Sequence, residues 1–161
     1  MRSIIIISCI VFSFSSCKPR DPQEVVYLIP KNYQGVVVVI FNQKDGLPEN
    51  FDNRSTVYEI PSNGILKTQS RPIKGWHRRS FFYIDSVENK SEIPYYTAMD
   101  VRDKGADKSK IICYSRERGV TTDKKTNTEI RFEVLLITSI QNLDSIAKHR
   151  DMSMDKILGV N

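Results

Sequence analysis

Between Val25 and Thr138 the apolar residues come in runs too short and too β-branched for helices, and most runs end at a turn signal. Val25–Ile29 (VVYLI) is stopped by Pro30. Gly35–Asn42 (GVVVVIFN) is apolar at successive positions, so both faces of that strand must be covered. Asp45-Gly46 is a turn signal after it. Ser55–Ile60 alternates and closes at Pro61, and Asn63-Gly64 suits backbone positions with φ > 0. Ile65–Thr68 and Ser80–Ile84 give two more strands. Ser86–Lys108 is polar and charged, with one short strand around Tyr95–Val101. Lys110–Ser115 is a strand, and the polar run Arg116–Glu129 reads as the connection of a hairpin. In Glu129–Thr138, Ile130, Phe132, Val134 and Leu136 share one face. Arg131 and Glu133 point the other way, which marks that part of the second face as solvated.

The period then changes. Ile140, Leu143, Ala147, Met154, Ile157 and Leu158 recur at helical spacing. Asn142 is the N-cap candidate, Asp144 and Lys148 form an i,i+4 pair, and Gly159 marks the end. The fold class that follows is mainly β: an antiparallel sandwich of about seven strands with a C-terminal α-helix packed on a sheet.

The first residues have a different character. Arg2 precedes a short apolar stretch, Ser3–Phe14, which is too short to span a hydrocarbon core of about 30 Å. Ser15 and Ser16 then lead to Cys17. Residues 1–16 therefore read as a secretory leader. Phe14-Ser15-Ser16-Cys17 resembles the lipobox of bacterial lipoproteins, with Phe14 in a place where leucine is most common. The resemblance implies a diacylglycerol on the Cys17 thiol, cleavage just before it, and acylation of the new amine. One acyl chain anchors weakly, and two or more anchor stably. Residues 17–24 are polar and twice broken by proline, which suits a lipidated tether, and 25–161 form one domain. By the same resemblance, Lys18 after the cysteine implies the outer membrane of an exported protein.

With 24 Lys+Arg against 19 Asp+Glu the net charge is +5, and loss of Arg2 with a leader lowers it to +4. That is an ordinary soluble surface with a slight leaning toward anionic partners. Once Cys9 leaves and Cys17 is capped, Cys113 has no partner for a disulfide, and its apolar setting makes it a buried structural thiol.

Tyr27-Leu28-Ile29-Pro30, Tyr33-Gln34-Gly35-Val36-Val37-Val38-Val39 and Tyr58-Glu59-Ile60-Pro61-Ser62-Asn63-Gly64-Ile65-Leu66-Lys67-Thr68 resemble a small family of uncharacterised bacterial lipoproteins, over about Val25–Asp85. The same layout is more distantly similar to transthyretin-like modules such as carboxypeptidase regulatory-like domains. Those are binding or structural sandwiches, although Asn42–Thr56 is longer and more polar than their usual connection.

The sequence offers no catalytic or cofactor residues by motif. It has no G-x-S-x-G and no phosphate-loop glycine pattern. His77 and His149 stand far apart, outside any H-x-x-x-H or H-x-H spacing, so no metal site is expected. Glu49 with Asp52 is a carboxylate pair in a loop, and Asn42–Asn53 lacks the calcium-loop pattern and includes Lys44. The most suggestive cluster is Lys74, Trp76, His77, Arg78 and Arg79, which could stack on a sugar or pair with a phosphate. A glycan, a glycolipid or an envelope protein is then the expected partner, besides the membrane, and nucleic acid is not. The reading is a non-enzymatic envelope lipoprotein, a binding or structural accessory module. Its rivals are a small envelope hydrolase whose site assembles only in three dimensions and an inhibitor or immunity-like partner of another envelope protein.

Overall fold

A computed structural model describes residues 24–75, 77–86, 89–102, 105, 107–123, 126–146 and 157–158. The proposed leader, Cys17, the tether up to residue 23, Trp76, Lys148, His149 and Gly159 lie outside them. Among the described residues ten strands form two five-stranded sheets. They are β1 (Glu24–Pro30), β2 (Gly35–Phe41), β3 (Phe51–Asp52), β4 (Ser55–Glu59), β5 (Ile65–Lys67), β6 (Arg78–Ser86), β7 (Asn89–Glu92), β8 (Tyr95–Tyr96), β9 (Ile111–Asp123) and β10 (Thr128–Ser139). The first sheet runs β3-β4-β1-β6-β7 and the second β5-β2-β10-β9-β8.

The sandwich and the C-terminal helical segment are as the sequence implies. The pairing differs: the sheets are mixed rather than purely antiparallel, and there are more strands than seven. β1 runs parallel to both β4 and β6, β2 is parallel to β5, and β8 is parallel to β9. β10 is antiparallel to β2 on one side and β9 on the other, and β3–β4 and β6–β7 are antiparallel at the edges of the first sheet.

Period two sorts the side chains between the layers. Val25, Tyr27 and Ile29 of β1 face Val37, Val39 and Phe41 of β2 and Leu135 and Ile137 of β10 across the main core, with Tyr58, Phe81 and Cys113. The opposite face of the second sheet is also buried. Val38, Ile40, Ile130, Phe132 and Val134 pack against Ile157 and Leu158. Ile112 and Leu136 pack against Leu143, Ile140, Ile146 and Val101. This double burial explains the unbroken apolar run of β2. A 3₁₀ turn, Ile140–Asn142, leads into helical residues 143–146, so Asn142 is inside the turn and Ser139 is its N-cap.

Three local expectations are corrected. The polar run after Ser115 is strand as far as Asp123, because β10 supplies its hydrogen bonds, and the connection shrinks to residues 124–127. Tyr95–Val101 is not one strand: β8 ends at Tyr96, and α1 (Ala98–Arg102) follows. Glu133 is not solvated. Its face of β10 is the interior one, and it is 1% exposed. Among the described residues no helix is long and apolar enough to cross a membrane.

Candidate functional site

A buried glutamate demands partners, since an isolated carboxylate in an apolar interior is costly. Glu133 receives them from both sheets. Tyr27 of β1 donates its hydroxyl to Oε2 at 2.7 Å. Arg79 of β6 donates Nη1 to Oε1 at 2.7 Å, and Arg118 of β9 donates Nε to the same oxygen at 2.9 Å. Arg79 also donates Nη2 to the Tyr95 hydroxyl at 2.8 Å, with its guanidinium carbon 4.7 Å from that ring's centre. Tyr27 stacks on Phe81 at 4.7 Å, and Phe81 stacks on Tyr95 at 5.5 Å.

Local backbone geometry sets this arrangement up. At the start of β6 alternation sends Arg78 outward and Arg79 inward, two residues before the buried Phe81. On β9 a bulge does the phasing. Val134 lies opposite Glu117 but Leu135 lies opposite Ser115, so Arg116 is the extra residue. Cys113 faces the core on one side of the bulge, and Arg118 faces it on the other. Without the inserted residue Arg118 would point away from Glu133.

Beside this cluster a cavity of about 230 Å³ opens between the sheets. Val25, Tyr27, Phe41, Tyr58 and Ile73 give apolar walls, Glu133 lies at its inner end, and His77, Arg118 and Arg131 are polar lining. Arg131 is paired with Glu129. His77 Nε2 accepts from Arg118 Nη2 at 3.3 Å, and its Nδ1 donates to the Gly75 carbonyl oxygen at 3.0 Å. Burial, together with the charges of Arg118 and Arg79, lowers the His77 pKa. Burial and the adjacent Glu133 carboxylate hold the Tyr27 pKa well above the ordinary phenol range. The Tyr58 hydroxyl is buried without a hydrogen-bond partner. Burial pushes its pKa up to about 12, and Ser70, close by but outside hydrogen-bond geometry, offsets part of the rise.

A family of unknown function, DUF6843, matches residues 21–145. The chain belongs to that family. The DUF6843 match takes in Tyr27, Arg79, Arg118 and Glu133, so the whole cluster lies within the family's span. No curated protein matches the chain. A crystal structure of a candidate lipoprotein from Bacillus anthracis is similar in fold: the TM-score is 0.54 at 18% identity, over 71% of this chain and 68% of that one.

In this DUF6843 chain the described members of the basic cluster, Lys74, His77, Arg78 and Arg79, do not all face the same way. Arg79 is turned inward, with its side chain 18% exposed. Arg78 is exposed and lies 3.6 Å from Glu24. Lys74 is exposed, and His77 lines the cavity. Cys113 is fully buried, and burial raises its pKa well above the thiol range. Among the described residues no group of three or more His, Cys, Asp and Glu could hold a metal ion. Sequence reasoning missed Glu133, Arg118 and Tyr27. The available signal was a lone acid within an otherwise apolar stretch, Phe132–Ile137.

Proposed function

We propose that the chain is an exported envelope lipoprotein, held at the outer membrane by an acylated Cys17, and that its sandwich is a binding module rather than an enzyme. The leader and the lipobox-like Phe14–Cys17 support the anchor. The similarity in fold to a candidate lipoprotein agrees with it. The front-half likeness to transthyretin-like modules agrees with a binding role, and it rests on about Val25–Asp85 alone.

The observation that carries the binding reading is the state of Glu133. It is the carboxylate of the cavity, and both of its oxygens already accept from protein donors. A general base needs a lone pair facing the substrate. Glu133 instead organises two guanidiniums beside an apolar cavity, which is the layout of a recognition pocket.

The test of the anchor uses the full chain and Cys17→Ala in a Gram-negative host fed labelled palmitate, followed by separation of inner and outer membranes. Label and outer-membrane residence in the wild type, both lost in Cys17→Ala, are the expected result. An unlabelled, soluble wild type would remove the anchor from the proposal.

A further inference from the structure

The cavity has a charge and a position that together define a ligand. Two guanidiniums, Arg79 and Arg118, meet one carboxylate, Glu133. Arg131 is neutralised by Glu129. The cluster is therefore left with one surplus positive charge, next to apolar walls that strengthen its field. Arg118 carries that surplus toward the opening: its side chain is 46% exposed, while Glu133's is 2% exposed. Arg118 uses Nε on Glu133 and Nη2 on His77, which leaves Nη1 to donate to an anion beside the aromatic walls. That suits a phosphate attached to a short aliphatic stem. The volume of about 230 Å³ suits a headgroup, since one water occupies roughly 30 Å³ in the liquid.

The position follows from the strand directions. β1 and β6 are parallel, with Glu24 opposite Arg78, so both begin at one end of the sandwich. Val25, the second residue of β1, and His77, just before β6, line the cavity. The opening is thus at the end where the chain enters the domain. Only residues 18–23 separate Cys17 from Glu24. Fully extended, that connection reaches about 25 Å. A domain acylated at Cys17 would hold this opening close to the lipid surface.

We propose that the cavity receives the phosphodiester headgroup of a membrane amphiphile, with its single negative charge on Arg118 and its glycerol-like stem against Phe41 and Tyr58. The membrane as source rests on the anchor proposed above, and the anion chemistry does not.

The test uses the full chain in a non-ionic detergent, which keeps it in solution whether or not Cys17 is acylated. Calorimetric titrations compare detergent micelles doped with phosphatidylglycerol, the same micelles doped with phosphatidylcholine, and soluble glycerophosphoglycerol. Saturable binding of one phosphatidylglycerol per chain is expected, with little for phosphatidylcholine. Arg118→Gln should weaken it by about tenfold or more, the scale of one charge-assisted hydrogen bond. Arg78→Gln, outside the cavity, should leave it unchanged. Glu133→Gln removes the internal counter-charge and should tighten binding, a gain that misfolding cannot imitate. Glycerophosphoglycerol bound as tightly as the lipid would overturn the membrane source and keep the anion site. No saturable binding by the folded wild type, or binding indifferent to both Arg118→Gln and Glu133→Gln, would overturn the site itself. Palmitate labelling of the same preparations scores the anchor separately.

Discussion

Tyr27 on one sheet and Glu133 on the other are joined by a hydrogen bond of 2.7 Å through the middle of the sandwich. The bond spans two layers that Arg79 of β6 also links, through Glu133 and Tyr95. Its removal by Tyr27→Phe deletes one oxygen and leaves the ring stack on Phe81 in place. The Glu133 carboxylate, 1% exposed, then loses one of its three donors. A loss of about 1–3 kcal/mol is expected, read as a lower urea midpoint at an unchanged slope.

Glu133 itself is a harsher test. Glu133→Ala leaves Arg79 and Arg118 facing each other with no counter-charge, and a cost of about 3–5 kcal/mol is expected. Glu133→Leu combined with Arg118→Met should be milder than the single change, because one guanidinium leaves with the carboxylate and only Arg79 stays unpaired. Denaturant unfolding of the three chains checks the order. A single variant no worse than the double would contradict the clamp.

The tyrosines give the fold an alkaline limit. Tyr27 and Tyr58 titrate higher in the folded chain than the ordinary value of 10.0, Tyr58 at about 12. Between those values the folded chain holds protons that the unfolded chain releases, so stability falls as pH rises. It should be level below pH 10 and decline from there through about 12. Phenolate absorbance should appear together with unfolding rather than before it. Tyr27→Phe should flatten part of that slope.

Gly119 lies under Phe132. A Cβ there would come within 2.6 Å of the ring's Cζ. Gly119→Ala must therefore displace a ring buried in the outer-face cluster of the second sheet. The expected cost is about 1–3 kcal/mol. Gly64 is stricter, since its φ is +77° and an added Cβ would overlap the Tyr33 hydroxyl that bonds the Val36 carbonyl oxygen. Gly64→Ala should exceed Gly119→Ala in its effect on the melting temperature.

Cys113 supplies a built-in reporter. Its burial should keep it unreactive toward a maleimide until the core opens. The labelling rate in low denaturant should follow the global unfolding equilibrium. Fast labelling of the native chain would show local opening at β9.

The strands that alternate or run apolar were legible, as was the helical period after Ser139. What failed was the choice of inner face on β10. Both faces of that strand are buried, so Glu133 and its neighbour Arg131 looked like a solvated side when they were the cavity side. Arg116–Asp123 carries no apolar period, and only pairing with β10 makes it a strand. The bulge at Arg116 and the parallel pairing of β1 are set by distant partners, so no local window records them. Arg79 was picked out within a basic run. Its role depended on a parity that Phe81, two residues later, already carried.

The placement of β1 also bears on mechanics. It is the middle strand of its sheet, in register with β4 over five residues and with β6 over seven. Tension applied at the N terminus pulls along this strand. The two ladders that hold it are loaded in shear, all bonds at once, and cannot be peeled open one pair at a time from an edge.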